Sequence, residues 1–460
     1  MDIIKSQKGK EQILCGGFRY RRDKLNQDGS SLWRCVKSEC LGRLKKKTDG
    51  TVQITSEHEH APDTAKNESE KIKADIRERA KYGVEKPRQI IVNSSVGVTL
   101  EAANFLPSYI ASQRTIERKR KRPDVNNSRP NTVQEIILPE ELKLTTRSQN
   151  FLLWDSGNED TNRMFMFGTS NNLQLLENNP HWFMDGTFKI APEIFLQVFT
   201  IHALVNNRVI PLIYVLMGKK TQADYERVFE RVVELRPSLS PMSIMVDFEK
   251  GCMNALLNAF PNSTVHGCLF HLGQSLWRRI QREGLTNSYR DDENVKLYSK
   301  MLIALSFIPP EDVGTAFDEL SESRPANLHN LYNYWEDTYI GRMRRNRRDD
   351  PLFPISMWNM RGRVADGLPR TNNSVEGWHN AFQSSVGCHH PTIYKLIENF
   401  RFEQDLAEQT ISRISSGINT QPASKSKYIQ LSRRLAAILP TYEGRDLIEY
   451  LRAVSHNINI

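Results

Sequence analysis

Residues 181–188 read His-Trp-Phe-Met-Asp-Gly-Thr-Phe, and this stretch decides the fold class of the larger, C-terminal part of the chain. The residues before Asp185 are mostly apolar, so they predict a strand that leads to an acid. Two more runs of strand length, both rich in β-branched and aromatic residues, follow at Ile194–Ala203 and Val209–Met217. Three strands without a helix between them predict a meander at the start of a sheet.

Helices and strands alternate after this meander. Thr221–Leu235 has helical periodicity, with its apolar residues on one face. Met242–Val246 is a fourth apolar run, and it ends at Asp247. The next predicted elements are a helix near Gly251–Phe260, a strand at Ser263–Leu269 and a helix from about His271 to Arg282. The order β-β-β-α-β-α-β-α predicts a mixed sheet flanked by helices.

Three carboxylates occupy positions that this order could bring together. Asp185 and Asp247 each follow an apolar strand, and they reach one sheet edge if the first and fourth strands are neighbours. Glu376 lies in the predicted first turn of a helix for which Thr371–Ser374 offer caps. Two hard divalent ions about 4 Å apart would balance three carboxylates and activate a water or a 3′-hydroxyl for attack on phosphate. Acids at strand ends and helix starts are also common in structural roles, so spacing alone leaves both interpretations open.

A second set of candidate ligands lies near the N-terminus. Cys35 and Cys40 are followed by His58 and His60, and two thiolates with two imidazoles can form a closed tetrahedral zinc site. Zinc would help a unit this small to fold. The rest of the unit is predicted to be strands, at Phe18–Arg21, Leu32–Cys35 and Val52–Ile54. The alternative is a coincidence of two buried thiols and a surface histidine pair.

The unit resembles the FLYWCH zinc finger family, which implies zinc binding together with DNA or protein recognition. The residues that carry the resemblance are Phe18, Tyr20, Leu32, Trp33, Cys35, Cys40, His58 and His60. Basic side chains in the unit supply charge for phosphate contact. The candidates are Lys24, Arg34, Lys37, Arg43, Lys45, Lys46 and Lys47.

The basic charge of the chain is concentrated in its N-terminal part. Residues 1–130 carry 28 Lys+Arg and 17 Asp+Glu, a net charge of +11, whereas the remainder carries 35 and 37, a net charge of −2. Such an excess attracts nucleic acid. The run Arg118-Lys119-Arg120-Lys121-Arg122 fits a nuclear localisation signal or a phosphate-contacting strip. It fits equally well the basic end of a helix that leads into a linker.

Residues from about 180 to 385 resemble the Mutator-like element (MULE) transposase domain, which implies an RNase H-like fold. The resemblance is carried by Phe183–Phe188, Val246–Gly251, Phe260-Pro261, Gly267–His271 and Asn372–His379. By position, Asp185, Asp247 and Glu376 match the catalytic triad, which would hold Mg²⁺ or Mn²⁺. The interval between the last two acids would hold a helical insertion. The helix at Pro391–Ile414 and the ending at Tyr450–Asn457 are similar to the tails of FLYWCH–MULE proteins.

The motif Cys268-x-x-His271 matches one found before the insertion in related transposases. It could orient the active site, bind a metal with a further residue such as His379, or contact DNA. The alternative is a buried thiol followed by a histidine bonded to backbone at a helix start, since two ligands do not close a zinc site. Glu249, a further acid near Asp247, is interpreted as structural.

The expected fold is an α/β RNase H-like core with a helical insertion and a helical C-terminal region, preceded by a small β-rich zinc-binding domain. The predicted domains are a FLYWCH-type zinc finger (1–65), a basic, helical and helix-turn-helix-like segment (66–122), a linker (123–145), a MULE transposase domain (146–385, with the insertion at about 285–365) and a helical C-terminal region (386–460).

These features predict a nuclear DNA transposase that cuts and joins DNA in transposition and recombination. It would use structural zinc and catalytic Mg²⁺ or Mn²⁺. The rival interpretation is a domesticated, transposase-derived DNA-binding regulator without catalysis, and a third makes the zinc unit a protein-interaction module.

DNA is the expected partner, and no small-molecule substrate is expected. No membrane span is expected, since there is no apolar run of about 18 residues. The charged residues after Met1 argue against a secretory signal. Homo-oligomerisation stays open.

Overall fold

The computed structural model describes residues 1–458 except 8, 83, 84, 86, 121–129, 346 and 418–425. Contacts divide the chain into two units, residues 1–128 and 129–460. Within the described ranges, no helix is both long and apolar enough to cross a membrane.

The first unit opens with an antiparallel sheet of six strands that are neighbours in chain order. They are β1 (Asp2–Lys5), β2 (Glu11–Cys15), β3 (Phe18–Leu25), β4 (Ser31–Cys35), β5 (Arg43–Lys46) and β6 (Val52–Ser56). Its core takes one buried residue from each of four adjacent strands, namely Ile13, Tyr20, Trp33 and Leu44. The predicted β-rich zinc unit is confirmed as a β-sheet. The prediction lacked β1, β2 and β5. Strand β5 has only one buried residue, Leu44, and so lacks the apolar pattern from which a strand is predicted.

Four helices follow the sheet: α1 (Thr64–Tyr82), α2 (Pro87–Ser95), α3 (Leu100–Ala103) and α4 (Tyr109–Arg120). They pack around Ile72, Ile76, Ile90 and Ile116. The sequence predicted this segment to be helical, and Pro107 lies in the interruption between α3 and α4. The helix-turn-helix-like character of residues 66–122 stays a prediction. Lys121, Arg122 and residues 123–129, the first part of the predicted linker 123–145, lie outside the described residues.

A seven-stranded mixed sheet forms the centre of the second unit. Its strands are β7 (Leu152–Asp155), β8 (Phe165–Phe167), β9 (His181–Thr187), β10 (Gln197–Val205), β11 (Arg208–Met217), β12 (Ser243–Val246) and β13 (Thr264–Gly267). Their order is β13-β12-β9-β10-β11-β8-β7. The strands β9, β12 and β13 are parallel, and the remaining pairs are antiparallel. A two-residue turn joins β10 to β11, and Asn206 and Asn207 both have positive φ (47° and 62°), as a type I′ hairpin requires.

Helices cover this sheet, so a mixed sheet flanked by helices is confirmed. The helices between and after the strands are α5 (Ser170–Asn178), α6 (Gln222–Leu235), α7 (Lys250–Ala259) and α8 (Leu269–Arg282). A capping box starts α6, in which Thr221 and Asp224 bond each other's backbone N–H. The apolar face of α6 carries Tyr225, Val228 and Phe229, all buried.

The rest of the unit is mainly helical. The helices are α9 (Thr286–Asp291), α10 (Glu293–Ala304), α11 (Val313–Ser323), α12 (His329–Trp335), α13 (Ile355–Trp358), α14 (Arg361–Ala365), α15 (Asn373–Val386), α16 (Ile393–Ser415), α17 (Ser426–Ile438) and α18 (Leu447–Ser455). A small hairpin consists of β14 (Met343–Arg344) and β15 (Arg347–Arg348). Short 3₁₀ helices lie at Glu140–Lys143, Leu305–Phe307, Pro310–Asp312, Ala326–Leu328 and Leu439–Gly444, and a π-helix at Glu336–Ile340. The C-terminal α18 packs on α10, and the Tyr450 hydroxyl donates to the Phe307 carbonyl.

Candidate functional site

The four predicted zinc ligands lie together in the first unit. One ligand atom from each of Cys35, Cys40, His58 and His60 lies within 4.8 Å of all the others. Sγ of Cys40 is 3.3 Å from Nδ1 of His58, and Sγ of Cys35 is 3.4 Å from Nε2 of His60. The S–N edge of a tetrahedral zinc site is about 3.5 Å when Zn–S is about 2.3 Å and Zn–N about 2.05 Å. These two S–N distances match the edges of a tetrahedral zinc site, and the other donor atoms lie within 4.8 Å of one another.

The nitrogen that each histidine would offer is set by a contact of its other nitrogen. Nε2 of His58 lies 2.7 Å from the Tyr20 hydroxyl, which leaves Nδ1 facing the cysteines. Nδ1 of His60 lies 2.8 Å from the carbonyl of Ala61, which leaves Nε2. Phe18 stacks on the His58 ring with centroids 3.6 Å apart. Such outer contacts orient metal ligands.

Burial, and then the neighbouring His60, lower the pKa of His58, which favours the neutral imidazole that a metal requires. Gly42 lies against the same ring, where a Cβ atom would come within 2.5 Å of it. A side chain at position 42 would therefore displace His58. The spacing of the ligands predicted neither the close approach of Gly42 nor the contact of Tyr20 with His58. Tyr20 was named only as one of the residues that carry the family resemblance.

In the second unit, Asp185 lies near the end of β9, and Asp247 directly follows β12. The two strands are parallel neighbours in which Met245 is paired with Phe183, so residue 247 is level with residue 185. Glu376 lies in the first turn of α15, which packs against β9. The Asp185 side chain is 12% exposed, that of Asp247 is 36% exposed and that of Glu376 is 31% exposed, so the carboxylates line a partly open site.

His271, in the first turn of α8, lies between two of these acids. Its Nδ1 is 2.6 Å from Oδ1 of Asp247, and its Nε2 is 3.6 Å from Oε1 of Glu376. Burial lowers the pKa of His271, but contacts with Asp247 and Cys268 outweigh burial and raise it to about 10. This shift favours the protonated imidazole, whose two nitrogens face two carboxylates.

Asp185 is held by a separate chain of polar groups. Its Oδ2 lies 3.2 Å from Nδ1 of His379, and its Oδ1 accepts from the N–H of Gly186 at 2.7 Å. Nε2 of His379 is 3.3 Å from the Thr200 hydroxyl, which is 2.9 Å from Nε2 of the buried His202. Thr200 and His202 escaped the sequence analysis because they lie inside an apolar-looking strand.

Cys268 and Asn372 connect the elements that carry the acids. Sγ of the buried Cys268 accepts from the N–H of Asn372 at 3.2 Å. The Asn372 side chain donates to the carbonyl of Met184 at 3.1 Å. The start of α15 is thereby attached to α8 and to the residue before Asp185. Thr371–Ser374 were expected to cap α15, but Asn372 uses its side chain for this link and makes no capping bond.

One of the alternatives left open for Cys268-x-x-His271 was metal binding together with a further residue such as His379, which in the structure contacts Asp185. Cys268, His271 and Asp247 do lie within 4.8 Å of one another through their ligand atoms. His271 contacts a carboxylate here rather than backbone. Glu249 lies 3.6 Å from Lys220, and burial raises the pKa of its carboxyl.

The basic candidates of the first unit lie on β3 to β5 and in adjacent turns, and none of them is buried. The described cations Arg118 and Lys119, at the end of α4, are exposed. Arg120 is the last residue of that helix.

The regions that carry the two sites are each similar, over part of their length, to a known protein family. Residues 3–61 match the family model of the FLYWCH zinc finger domain, and residues 181–275 match that of the MULE transposase domain. The four cysteine and histidine ligands fall within the first match. Asp185, Asp247 and His271 fall within the second, whereas Glu376 and His379 lie beyond its end. No curated protein matches the chain.

Proposed function

We propose that this protein is a Mutator-like DNA transposase, with an RNase H-like core that cuts DNA and transfers the freed strand. The observation that carries the proposal is the meeting of Asp247 and Glu376 at the two nitrogens of His271. These acids come from distant parts of the sequence, and Asp185 is on the strand beside Asp247. The sheet supports an RNase H-like fold, since three antiparallel strands, β9 to β11, continue into the parallel strands β12 and β13.

The donor set suits hard divalent cations, because carboxylate oxygens are the ligands that Mg²⁺ and Mn²⁺ prefer. Burial raises the pKa of Glu376, the charge of His271 lowers it, and the charges of Asp185 and Asp247 raise it further. Carboxylates that oppose each other's ionisation in this way are stabilised by cations. When bound, two such ions would activate a water or a 3′-hydroxyl and stabilise the leaving oxygen.

The residues of the chain then have distinct tasks. Asp185, Asp247 and Glu376 would hold the ions. His379 orients the Asp185 carboxylate through Nδ1, and Asn372 keeps Glu376 near it by joining the start of α15 to β9. The FLYWCH domain, with structural zinc on Cys35, Cys40, His58 and His60, would bind DNA in the nucleus.

The second candidate is a domesticated DNA-binding regulator that has lost catalysis. The position of His271 favours it, because its charged ring already contacts both carboxylates that an ion would join. In an active enzyme the ring would have to give up at least one of these contacts.

The test is Mg²⁺-dependent nicking of DNA that carries the parent element's ends. We would compare the wild type with Asp247→Ala, and with Glu249→Gln as the matched control at a neighbouring acid. Nicking by the wild type and the control, but not by Asp247→Ala, supports the proposal. An inactive wild type that retains zinc-dependent DNA binding supports the domesticated regulator.

A further inference from the structure

Three arginines form a row across the sheet of the first unit. The register pairs Arg21 of β3 with Arg34 of β4, and Arg34 with Arg43 of β5. Directly paired residues point to the same face of an antiparallel sheet. This face is opposite the one that carries the buried Tyr20 and Trp33, since side chains alternate along each strand.

A second row on the same face adds to the charge. Lys24 is paired with Leu32, and Leu32 with Lys45. One of these cations is paired with an acid: Nε of Arg34 is 3.3 Å from Oδ1 of Asp23. Arg19, the preceding residue of β3 on this face, is 3.2 Å from Glu70 of α1. The helix therefore borders the arginine row on that side.

The row has no evident purpose in folding. Like charges directly opposite one another on adjacent strands are destabilising, by a few tenths of a kcal/mol to about 1 kcal/mol per pair. Among the described residues, Arg21 makes no ion pair, and its side chain is exposed. Arg43 uses one end of its guanidinium to donate to the carbonyls of Cys40 and Gly42, which leaves other N–H groups available. An extended polyanion would turn this repulsion into attraction.

We propose that the row Arg21–Arg34–Arg43 is the surface by which the FLYWCH domain docks on the phosphate backbone of duplex DNA. The inference rests on the DNA-binding part of the proposed function, and it specifies where contact is made. Guanidinium groups form forked hydrogen bonds to phosphate oxygens. Adjacent strands are about 4.8 Å apart, so the row spans about 10 Å, enough to reach more than one phosphate. Arg21 was absent from the sequence-based candidates, and Lys46 lies on the opposite face, two residues from the buried Leu44.

The experiment measures the affinity of the full zinc-loaded chain for a duplex of defined length, by fluorescence anisotropy, over a range of KCl concentrations. The triple variant Arg21→Gln, Arg34→Gln, Arg43→Gln is compared with a control that removes the same charge elsewhere in the unit, Lys5→Gln, Lys10→Gln, Lys66→Gln. Each phosphate contact contributes about 0.9 to the slope of log K against log salt, so the arginine triple should lose about 2.7 of slope. The control triple should lose less than one third of that.

Two further variants keep the proposal falsifiable if the triple variant folds poorly. The single change Arg21→Glu lies on an exposed residue and should weaken binding at least about tenfold at low salt, without lowering the melting temperature. Replacing all three arginines by lysine keeps the charge, so the slope should stay within about one unit of the wild type.

Equal slopes for the wild type and the arginine triple would overturn the docking surface, as would equal losses in both triples. A wild type that binds no duplex at low salt would overturn it together with the DNA-binding part of the proposed function. Failure of Mg²⁺-dependent nicking with salt-dependent binding intact would remove only the catalytic proposal.

Discussion

The two candidate metal sites of this protein are assembled in different ways. The cysteine and histidine site lies within a single small sheet and the segment that follows it, between Cys35 and His60. The acid site takes Asp185 from β9, Asp247 from the end of β12 and Glu376 from α15. The first needs only local chain geometry, whereas the second needs the correct strand order and the return of a distant helix. A local ligand set can therefore be predicted from spacing, whereas the dispersed acids were predicted through the family resemblance.

The two regions should also differ in how far their folds would depend on a bound metal. The core cluster of the first unit's sheet contains only four residues, Ile13, Tyr20, Trp33 and Leu44, which we expect to be too few to stabilise it strongly without a metal. The second unit has an extensive core around β9 to β12, so we expect its fold to be stable without ions at the acid site. Each prediction below tests this contrast.

The largest effect is expected from removing zinc. We expect Cys35→Ala, or a strong chelator, to unfold the sheet of the first unit, because structural zinc contributes about 10–16 kcal/mol of apparent binding free energy. The second unit should remain folded. Two-dimensional NMR or limited proteolysis would follow each unit separately.

The control for this experiment is Cys15→Ala, a cysteine of the same sheet that is outside the ligand cluster. It should leave the metal content unchanged. Loss of the second unit along with the first would contradict the contrast between the two regions.

The next largest effect concerns catalysis without loss of stability. We expect Asp185→Asn or Glu376→Gln to lower DNA nicking by at least ~100-fold, the range seen when one group that stabilises the transition state is lost. The melting temperature without metal should stay the same or rise, since one of three mutually repelling charges is removed. Glu249→Gln should change neither value. A melting temperature that falls steeply in the acid-site variants would indicate a structural role instead.

A smaller effect is expected at the link between α15 and β9. Asn372→Ala removes a buried amide that donates to Met184, and should cost about 1–3 kcal/mol of unfolding free energy, measured with urea. Nicking should fall as well, because Glu376 loses its anchor. Asn258→Ala removes a hydrogen bond to Glu226 at an exposed site and should cost less than about 0.5 kcal/mol. Equal costs in the two variants would show that the link is unimportant.

The smallest effect is a difference in pH sensitivity. Burial, and then the nearby Arg363, lower the pKa of His266 from its ordinary value of 6.5 to about 4. Since the folded pKa lies below the unfolded one, the stabilisation is complete above pH 6.5 and is lost as the pH falls towards 4. We expect His266→Gln to lose less stability than the wild type between pH 7 and pH 4.5 in thermal melts of the second unit. An unchanged pH profile in His266→Gln would show that other groups cause the loss of stability at low pH.

Much of the fold could be predicted from the sequence, because the strands β9 to β12 contain apolar runs of strand length. Strand β5 could not be predicted in this way, because Arg43–Lys46 has only one buried residue, and its pairing with β4 and β6 is what makes it a strand. The sequence did not predict that β9 and β12 are neighbours. It showed only that Asp185 and Asp247 would meet if these strands were neighbours, and in the structure they are.

The zinc ligands and the three acids were all predicted, but the groups that orient them were not. Thr200 and His202 alternate with apolar residues in β10 and look like ordinary strand positions. Asn372 looked like a helix cap, and only the three-dimensional structure places its amide at Met184. Such partners come from other elements, and no local pattern marks them.

The central claim is that Glu376, which lies outside the matched transposase region, shares one divalent metal site with Asp185 and Asp247. The most direct measurement is Mn²⁺ binding by isothermal titration calorimetry to the zinc-loaded full chain. The account predicts two Mn²⁺ ions for the wild type and for Glu249→Gln, with at least about tenfold weaker binding for Glu376→Gln, which corresponds to about 1.4 kcal/mol. Wild-type affinity in Glu376→Gln, with binding lost in Asp247→Asn, would contradict it and leave Glu376 outside the site.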